Sequence, residues 1–175
     1  MIGWSAEYLI TTAIAQELYK VHKQGIDGIF VEYDIFDLVK ENNGKVPKTL
    51  RRGRCDICIE FENDLQAIIE VKNTISQKGK KLNSIFKDIK RIEYFLLNDI
   101  SFEKSYVCFI AGDAPTKEKL INKVDTWFNE IKNAFTKLDF CVSVIAEEHI
   151  TEQSDIIHWA TVVAEISSKP LEKNN

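Results

Sequence analysis

Residues 51–73, RRGRCDICIEFENDLQAIIEVKN, constrain the fold more than any other part of this sequence. The segment holds two apolar runs, CDICIEF and LQAIIEV, which are rich in β-branched and aromatic residues. The polar pair Asn63-Asp64 separates them, as turn residues separate two strands. This pattern predicts a β-hairpin.

Three charged residues stand out in the predicted hairpin: Asp56, Glu70 and Lys72. Strand side chains alternate between faces, so Glu70 and Lys72 point to one face and Val71 to the other. Charged groups on a largely apolar strand are costly unless they are used. Two carboxylates beside a lysine suit a divalent cation, because hard cations take oxygen ligands and a lysine can stabilise the attacking water. A solvated strand edge, with Asp56 in a turn, is the alternative interpretation.

Asp56, thirteen intervening residues and then Glu70-Val71-Lys72 resemble the D…(D/E)-x-K motif of the PD-(D/E)XK nucleases, the restriction-endonuclease-like superfamily. The resemblance implies that Asp56 and Glu70 hold Mg²⁺ or Mn²⁺, with the Val71 carbonyl as a further ligand. It also implies that Lys72 assists the attacking water. The sequence has Cys55 where the motif has proline, a position at which the superfamily varies.

A helix is predicted between a cap at Ser5 and a stop at Gly25, with an apolar stripe along one face. Glu7 and Glu17 both lie near the edges of that stripe, so periodicity does not choose between them. They are ~15 Å apart along a helix, so one metal cannot use both. In the superfamily, notably in archaeal Holliday-junction resolvases, a Glu near the start of the first helix joins the site. The similar start here favours Glu7 as a catalytic residue, with Glu17 as the alternative.

Periodicity predicts the other elements in order. They are a strand over 26–39, the hairpin, a helix over 83–98, a strand over 105–111, a helix from a cap at Thr116 to 135, and strands over 140–146 and 161–166. Alternation in the first strand puts Glu32 and Asp34 on one side and Tyr33 and Ile35 on the other. Asp34 either extends the acidic cluster or lies at the surface.

This element order predicts an α/β protein, and the resemblance supplies a topology for it. That topology is a restriction-endonuclease-like αβββαβ core, with a mixed central sheet flanked by helices, followed by a helix and two strands. No composition shift or linker divides the chain, so one nuclease-like domain over residues 1–175 is expected.

The hairpin register decides whether the three charged groups can meet, because side chains share a face only when their pairing has the right parity. A two-residue turn at Asn63-Asp64 would pair Asp56 with Val71 and separate the groups. A three-residue turn would place Asp56 opposite Glu70 or Lys72. We predict one of these even registers, or a bulge that restores the same parity, with the Glu7 end of the first helix over that face.

The composition indicates the cellular location of the protein and the state of its cysteines. The sequence has 45% hydrophobic and 29% charged residues, no apolar run long enough to span a bilayer and no basic leader, which predicts a globular protein without a membrane partner. All four cysteines, at 55, 58, 108 and 141, fall in predicted strands and are expected to be buried free thiols, which indicates a reducing, cytoplasmic setting. Cys55 and Cys58 are expected on opposite faces of their strand.

The net charge of −4 is unevenly distributed. Residues 45–54 carry five basic residues and no acid, and residues 72–91 carry seven basic residues and one acid, Asp88. These segments flank the candidate metal site and could contact phosphates, although a solvated loop and helix face would look the same. The helix residues Lys87, Lys90 and Arg91 are expected to face outward or toward the site. The expected nucleic-acid contacts are Arg51, Arg52, Arg54, Lys78, Lys80 and Lys81.

The resulting expectation is a Mg²⁺-dependent endonuclease that hydrolyses phosphodiester bonds, with DNA as the expected substrate. The first alternative is a catalytically inactive nuclease-like domain that binds nucleic acid or a protein partner, because a fold does not guarantee chemistry. The second is a small α/β domain without a nucleic-acid role, which the acidic composition favours. Since one site cuts one strand at a time, double-strand cleavage would need a homodimer or sequential nicks.

Overall fold

A six-stranded mixed sheet organises the protein. The computed structural model describes residues 6–21, 26–35, 53–61, 64–75, 82–98, 104–150 and 156–169. The elements within these ranges are α1 (Ala6–Val21), β1 (Ile26–Asp34), β2 (Arg54–Phe61), β3 (Asp64–Ile75), α2 (Leu82–Leu97), β4 (Lys104–Ala114), α3 (Lys117–Ala134), β5 (Leu138–Ile150) and β6 (Ile156–Ser168). The predicted α/β class and the predicted element order are therefore confirmed.

The strand order in the sheet is β1-β2-β3-β4-β6-β5. β4 runs parallel to β3, and the other neighbouring pairs are antiparallel. The parallel pair is joined through α2, as parallel neighbours require a crossover connection. β5 and β6 pair over their whole lengths, which extends them beyond the predicted strands.

Helices cover the sheet on both faces. α1 packs its Ile10, Ile14 and Leu18 against a cluster that includes Ile57 and Val71. α2 and α3 lie on the opposite face, where their apolar stripes pack on β4 and β6. The α3 cap is the predicted one, because the Lys119 amide donates to Thr116 Oγ1 at 3.2 Å. The predicted cap and stop of α1, Ser5 and Gly25, lie outside the described residues.

The hairpin has the predicted parity. Ile57 pairs with Ile69, and this register, continued by one residue, places Asp56 opposite Glu70. Nearer the turn Phe61 pairs with Asp64, and the register shifts by one residue between Ile59 and Glu60. The turn is therefore not at Asn63-Asp64, since Asp64 already belongs to β3. A bulge restores the even register, so the bulged form of the prediction is confirmed.

The regular alternation of β1 and β2 breaks at one rung of their ladder. Glu32 has a left-handed backbone, with φ at 58°, and the β1–β2 register places it opposite Asp56. Beyond this rung Tyr33 packs in the cluster on the α2 face, whereas Ile29 packs on the α1 face. Regular alternation would place Tyr33 on the same face as Ile29, and it fails here because one residue in the left-handed region turns the strand over. β1 also ends at Asp34, short of the predicted residue 39, and Asp34 is exposed.

The left-handed conformation costs a residue with a Cβ roughly 1–2 kcal/mol. We expect Glu32→Gly to be neutral or to raise the free energy of unfolding by up to ~1 kcal/mol, since glycine accepts positive φ and the exposed Glu32–Arg54 pair contributes little. The neighbouring Val31→Gly, in extended backbone, should lower it by ~0.5–1 kcal/mol. Chemical denaturation measures both. Destabilisation of Glu32→Gly as large as that of Val31→Gly would contradict the assignment of strain to this residue.

Candidate active site

The candidate site forms where β2 and β3 stop pairing. The last backbone pair of the two strands is Ile57 with Ile69. One residue further, the Asp56 side chain takes the place of a backbone acceptor, because the Val71 amide donates to Asp56 Oδ2 at 2.6 Å. The Asp56 carboxylate is thereby fixed between the two strands, beside Glu70.

Lys72 lies at the centre of a group of oxygens. Its Nζ is 3.2 Å from Asp88 Oδ2, 3.3 Å from Glu7 Oε1 and 3.6 Å from Asp56 Oδ2. It also donates to the Val71 carbonyl at 3.0 Å. Since only 15% of the Lys72 side chain is exposed, these contacts replace most of the water that an ammonium normally binds.

Glu70 is the most deeply buried charged residue of the site, with 1% of its side chain exposed. The Arg91 guanidinium binds Glu70 Oε1 and also lies 3.2 Å from Asp88 Oδ1. The second oxygen, Glu70 Oε2, is buried and has no hydrogen-bond partner among the described residues. A buried, unpaired carboxylate oxygen is costly and therefore marks a place where a ligand would be stabilised.

Burial and mutual repulsion shift the titration of this cluster. Burial raises the pKa of Glu70 well above its usual value, and the nearby Cys55 thiol adds to the shift, whereas Arg91 opposes it. Burial also raises the pKa of Asp88. For Lys72 burial favours a lower pKa, but the surrounding carboxylates, Asp88 first, outweigh it and raise the pKa above its usual value. Lys72 is therefore an ammonium at neutral pH, and in this arrangement it donates and cannot accept a proton.

Of the two glutamates proposed for α1, the structure brings one to the cluster. Glu7, in the first turn, contacts Lys72, whereas Glu17 pairs with Lys20 at 2.6 Å on the exposed surface. The Glu7 end of α1 is predicted over the Glu70 face. The helix itself packs on the opposite face, Glu7 reaches the cluster through Lys72, and α2 covers Glu70 through Arg91. Lys72 spans the two layers, since it contacts Glu7 of α1 and Asp88 of α2.

One of the residues expected to contact nucleic acid is described. Arg54 opens β2 with an exposed side chain and lies 3.7 Å from Glu32 across the edge of the sheet. The others, Arg51, Arg52, Lys78, Lys80 and Lys81, lie outside the described residues. On α2, Lys87 and Lys90 are exposed, whereas Arg91 faces the site.

The cysteines depart from expectation in two ways. All four are free thiols, but Cys141 is exposed and Cys108 is half-buried. Cys55 and Cys58 lie in the same buried cluster, not on opposite faces, because the alternation of β2 breaks at Asp56. Interaction with the Cys58 thiol raises the pKa of Cys55 well above its usual value. Cys55 is thus a neutral thiol, and both cysteines are buried packing groups behind the site.

Two members of the cluster were not among the predicted site residues: Asp88 and Arg91 of α2. A signal for Asp88 exists in the sequence, because it lies three residues after Ile85 and four before Ile92, within the buried stripe of the helix. A buried acid on such a stripe needs a partner, and Arg91 is one turn away on the same side.

The composition of the cluster fits a hard divalent cation. Four carboxyl groups, those of Glu7, Asp56, Glu70 and Asp88, share the two cations Lys72 and Arg91. The donors are all oxygens, and two of them, Glu70 Oε2 and Asp88 Oδ2, are buried without a hydrogen bond among the described residues. Asp88 Oδ2 still forms an ion pair with Lys72, whereas Glu70 Oε2 has neither kind of contact with another described residue. In the part of the chain that the structure describes, no three His, Cys, Asp or Glu side chains stand grouped as a ready metal site. The Lys72 ammonium and the Arg91 guanidinium lie between these carboxyl groups.

Comparison with known proteins adds no family. No model of a known protein family matches the chain, and no curated protein matches it. Within the described ranges, no helix is both long enough and apolar enough to cross a membrane.

The raised pKa of Glu70 has a consequence for stability. Below the unfolded-state pKa of about 4.3, this carboxyl is protonated in both states. As pH rises from there through the higher folded-state pKa, the unfolded state loses its proton first and the stability due to Glu70 falls. We therefore expect the free energy of unfolding of Glu70→Gln, relative to the wild type, to increase from pH 4 to pH 8.

Urea denaturation of both proteins in EDTA, at several pH values, measures this difference. EDTA keeps the comparison free of metal. A difference that stays constant or decreases as the pH rises would show that the folded state prefers the ionised form of Glu70.

Proposed function

We propose that the protein is a Mg²⁺- or Mn²⁺-dependent endonuclease of the PD-(D/E)XK type, which hydrolyses phosphodiester bonds in DNA. One observation carries the proposal: Asp56, Glu70 and Lys72, the three residues of the motif, meet where two adjacent strands part, and Glu7 joins them. Charged groups gathered in this way at the centre of an apolar sheet are costly to fold, which argues for a use.

The order and pairing of the elements support the same assignment. A helix, an antiparallel run of three strands, a crossover helix and a parallel fourth strand follow one another in α1 through β4. This is the order of the αβββαβ core that the resemblance implies. β6 and β5 then extend the sheet beyond β4, with α3 packed on its face, and this part of the protein offers a surface on which a homodimer could form.

Asp56, Glu70 and the Val71 carbonyl are the groups that would hold the metal. A divalent cation bound there supplies Lewis-acid polarisation of the phosphodiester and lowers the pKa of a water molecule. The orphaned Glu70 Oε2 would gain a partner. The Val71 carbonyl now accepts from Lys72, so this hydrogen bond would be exchanged for the metal contact.

Lys72 and Glu7 would supply the remaining catalytic groups. Lys72, which stays an ammonium, would donate to the attacking water or to a phosphate oxygen and offset the charge that develops on the phosphate. Glu7 has 38% of its side chain exposed, more than the other three carboxyl groups, so it lies where solvent and substrate enter. It is suited to orienting the nucleophile through a hydrogen bond.

Contacts with the DNA backbone would come from the basic segments that precede and follow the site in the sequence. Arg54 is exposed at the start of β2, two residues from Asp56, which suits a phosphate contact close to the reaction. Such contacts position the duplex and carry no sequence information.

Cleavage of plasmid and single-stranded DNA, with Mg²⁺, Mn²⁺ or EDTA, tests the proposal. Asp56→Asn should reduce the rate at least ~100-fold, since the asparagine oxygen can still accept from the Val71 amide but the ligand charge is lost. Lys72→Ala should show a loss of similar size. Glu17→Gln, which changes an exposed glutamate of α1, should cut like the wild type.

Metal-dependent cleavage that Asp56→Asn and Lys72→Ala abolish would support the nuclease. Unchanged cleavage by a folded Asp56→Asn would refute the site. DNA binding without cleavage, at any metal concentration, would favour the inactive nuclease-like domain instead.

A further inference from the structure

The helix α2 contributes two charged side chains to the candidate site, one turn apart. Asp88 and Arg91 contact each other, with Arg91 Nη2 3.2 Å from Asp88 Oδ1. Both are largely buried, with 11% and 14% of their side chains exposed. Neither belongs to the three-residue motif of the strands, so their place in the site needs its own explanation.

Arg91 binds one of the two carboxyl oxygens of Glu70. Its Nη2 binds Glu70 Oε1, while Glu70 Oε2 stays unpaired among the described residues. On the other side of the guanidinium, Nη1 lies against Gly53, where an added Cβ would come within 3.1 Å of it. Arg91 is thus held between Gly53, just before β2, and Glu70, in the middle of β3. The second oxygen of Glu70 remains available to a ligand.

Asp88 connects Arg91 with Lys72 by contacting both side chains. One of its oxygens faces Arg91, and the other lies 3.2 Å from Lys72 Nζ. The contacts therefore run without interruption from Glu70 through Arg91 and Asp88 to Lys72. The residue that would bind the metal and the residue that would stabilise the nucleophile are held by one pair of side chains on one helix turn.

We propose that Arg91 and Asp88 are positioning residues of the nuclease site, an inference that rests on the proposed function. Arg91 orients Glu70 as a ligand through a single oxygen, and Asp88 holds the Lys72 ammonium in place. Groups that orient ligands and catalytic side chains in this way typically change metal affinity or activity 10- to 100-fold when they are replaced.

The experiment measures Mn²⁺ binding by titration calorimetry, and separately the cleavage rate as a function of Mn²⁺ concentration. Arg91→Gln should weaken Mn²⁺ binding ~10- to 100-fold and raise the Mn²⁺ concentration for half-maximal rate to the same extent. Asp88→Asn should mainly lower the rate at saturating Mn²⁺, because it releases Lys72. Lys119→Gln on α3 and Glu93→Gln on α2 remove the same charges elsewhere and should match the wild type.

Gly53→Ala provides a variant that keeps every charge. The new Cβ would push on the Arg91 guanidinium, so Mn²⁺ binding should weaken in the same direction as in Arg91→Gln, though by less. Arg91→Lys keeps the positive charge and should recover part of the Mn²⁺ affinity lost in Arg91→Gln. Thermal unfolding in EDTA identifies which variants are folded, and Gly53→Ala carries the test if Arg91→Gln is not.

The outcomes separate the two claims. If the wild type neither binds Mn²⁺ nor cuts DNA, the proposed function fails and this inference fails with it. If the wild type does both, and folded Arg91→Gln and Gly53→Ala bind Mn²⁺ as tightly as Lys119→Gln, the inference alone is overturned. Weakened Mn²⁺ binding in both variants, with normal binding in the controls, would support it.

Discussion

The pairing of the buried Glu70 carboxyl with Arg91 is the interaction on which the site depends. A carboxylate with 1% exposure can be tolerated only if a partner offsets its desolvation. That partner comes from α2, which must therefore dock with Arg91 over the middle of β3, at Glu70. Asp88 lies one turn before Arg91 on the same helix and contacts it, and Lys72 of β3 contacts Asp88 in turn. The contacts of Arg91 with Glu70 therefore also tie α2 to the sheet.

Much of the architecture follows from periodicity in the sequence. The stripe of α2, the cap at Thr116 and the two apolar runs of the hairpin were sufficient to predict those elements and their order. The even hairpin register follows from parity, because a three-residue motif on one face is incompatible with an odd pairing. The bulge that produces it could not be located, since local sequence near the turn also allows a regular two-residue connection.

The wrong faces of Tyr33 and Cys55 have a common physical cause. Alternation assumes a regular strand, and it fails at the rung of Glu32 and Asp56, where one residue is left-handed and the other uses its side chain as a backbone acceptor. Tyr33 and Cys55 change faces as a result. Helical periodicity gives the direction of the Arg91 side chain but not its partner, so the sequence predicts only that Arg91 faces either solvent or the site. The partner of Arg91 is Glu70 of β3, which lies 21 residues away in the sequence, so the tertiary contact between α2 and β3 decides which way Arg91 faces.

The central proposal is that Asp56, Glu70 and the Val71 carbonyl would hold a divalent cation. Binding to the folded state alone must then stabilise it, by RT ln(1 + [L]/Kd). The most direct measurement is thermal unfolding of the wild type and Asp56→Asn over a range of Mn²⁺ concentrations, without any substrate. The account predicts a midpoint that rises with Mn²⁺ for the wild type and stays nearly constant for Asp56→Asn. Equal behaviour of the two proteins, rising or flat, would contradict it.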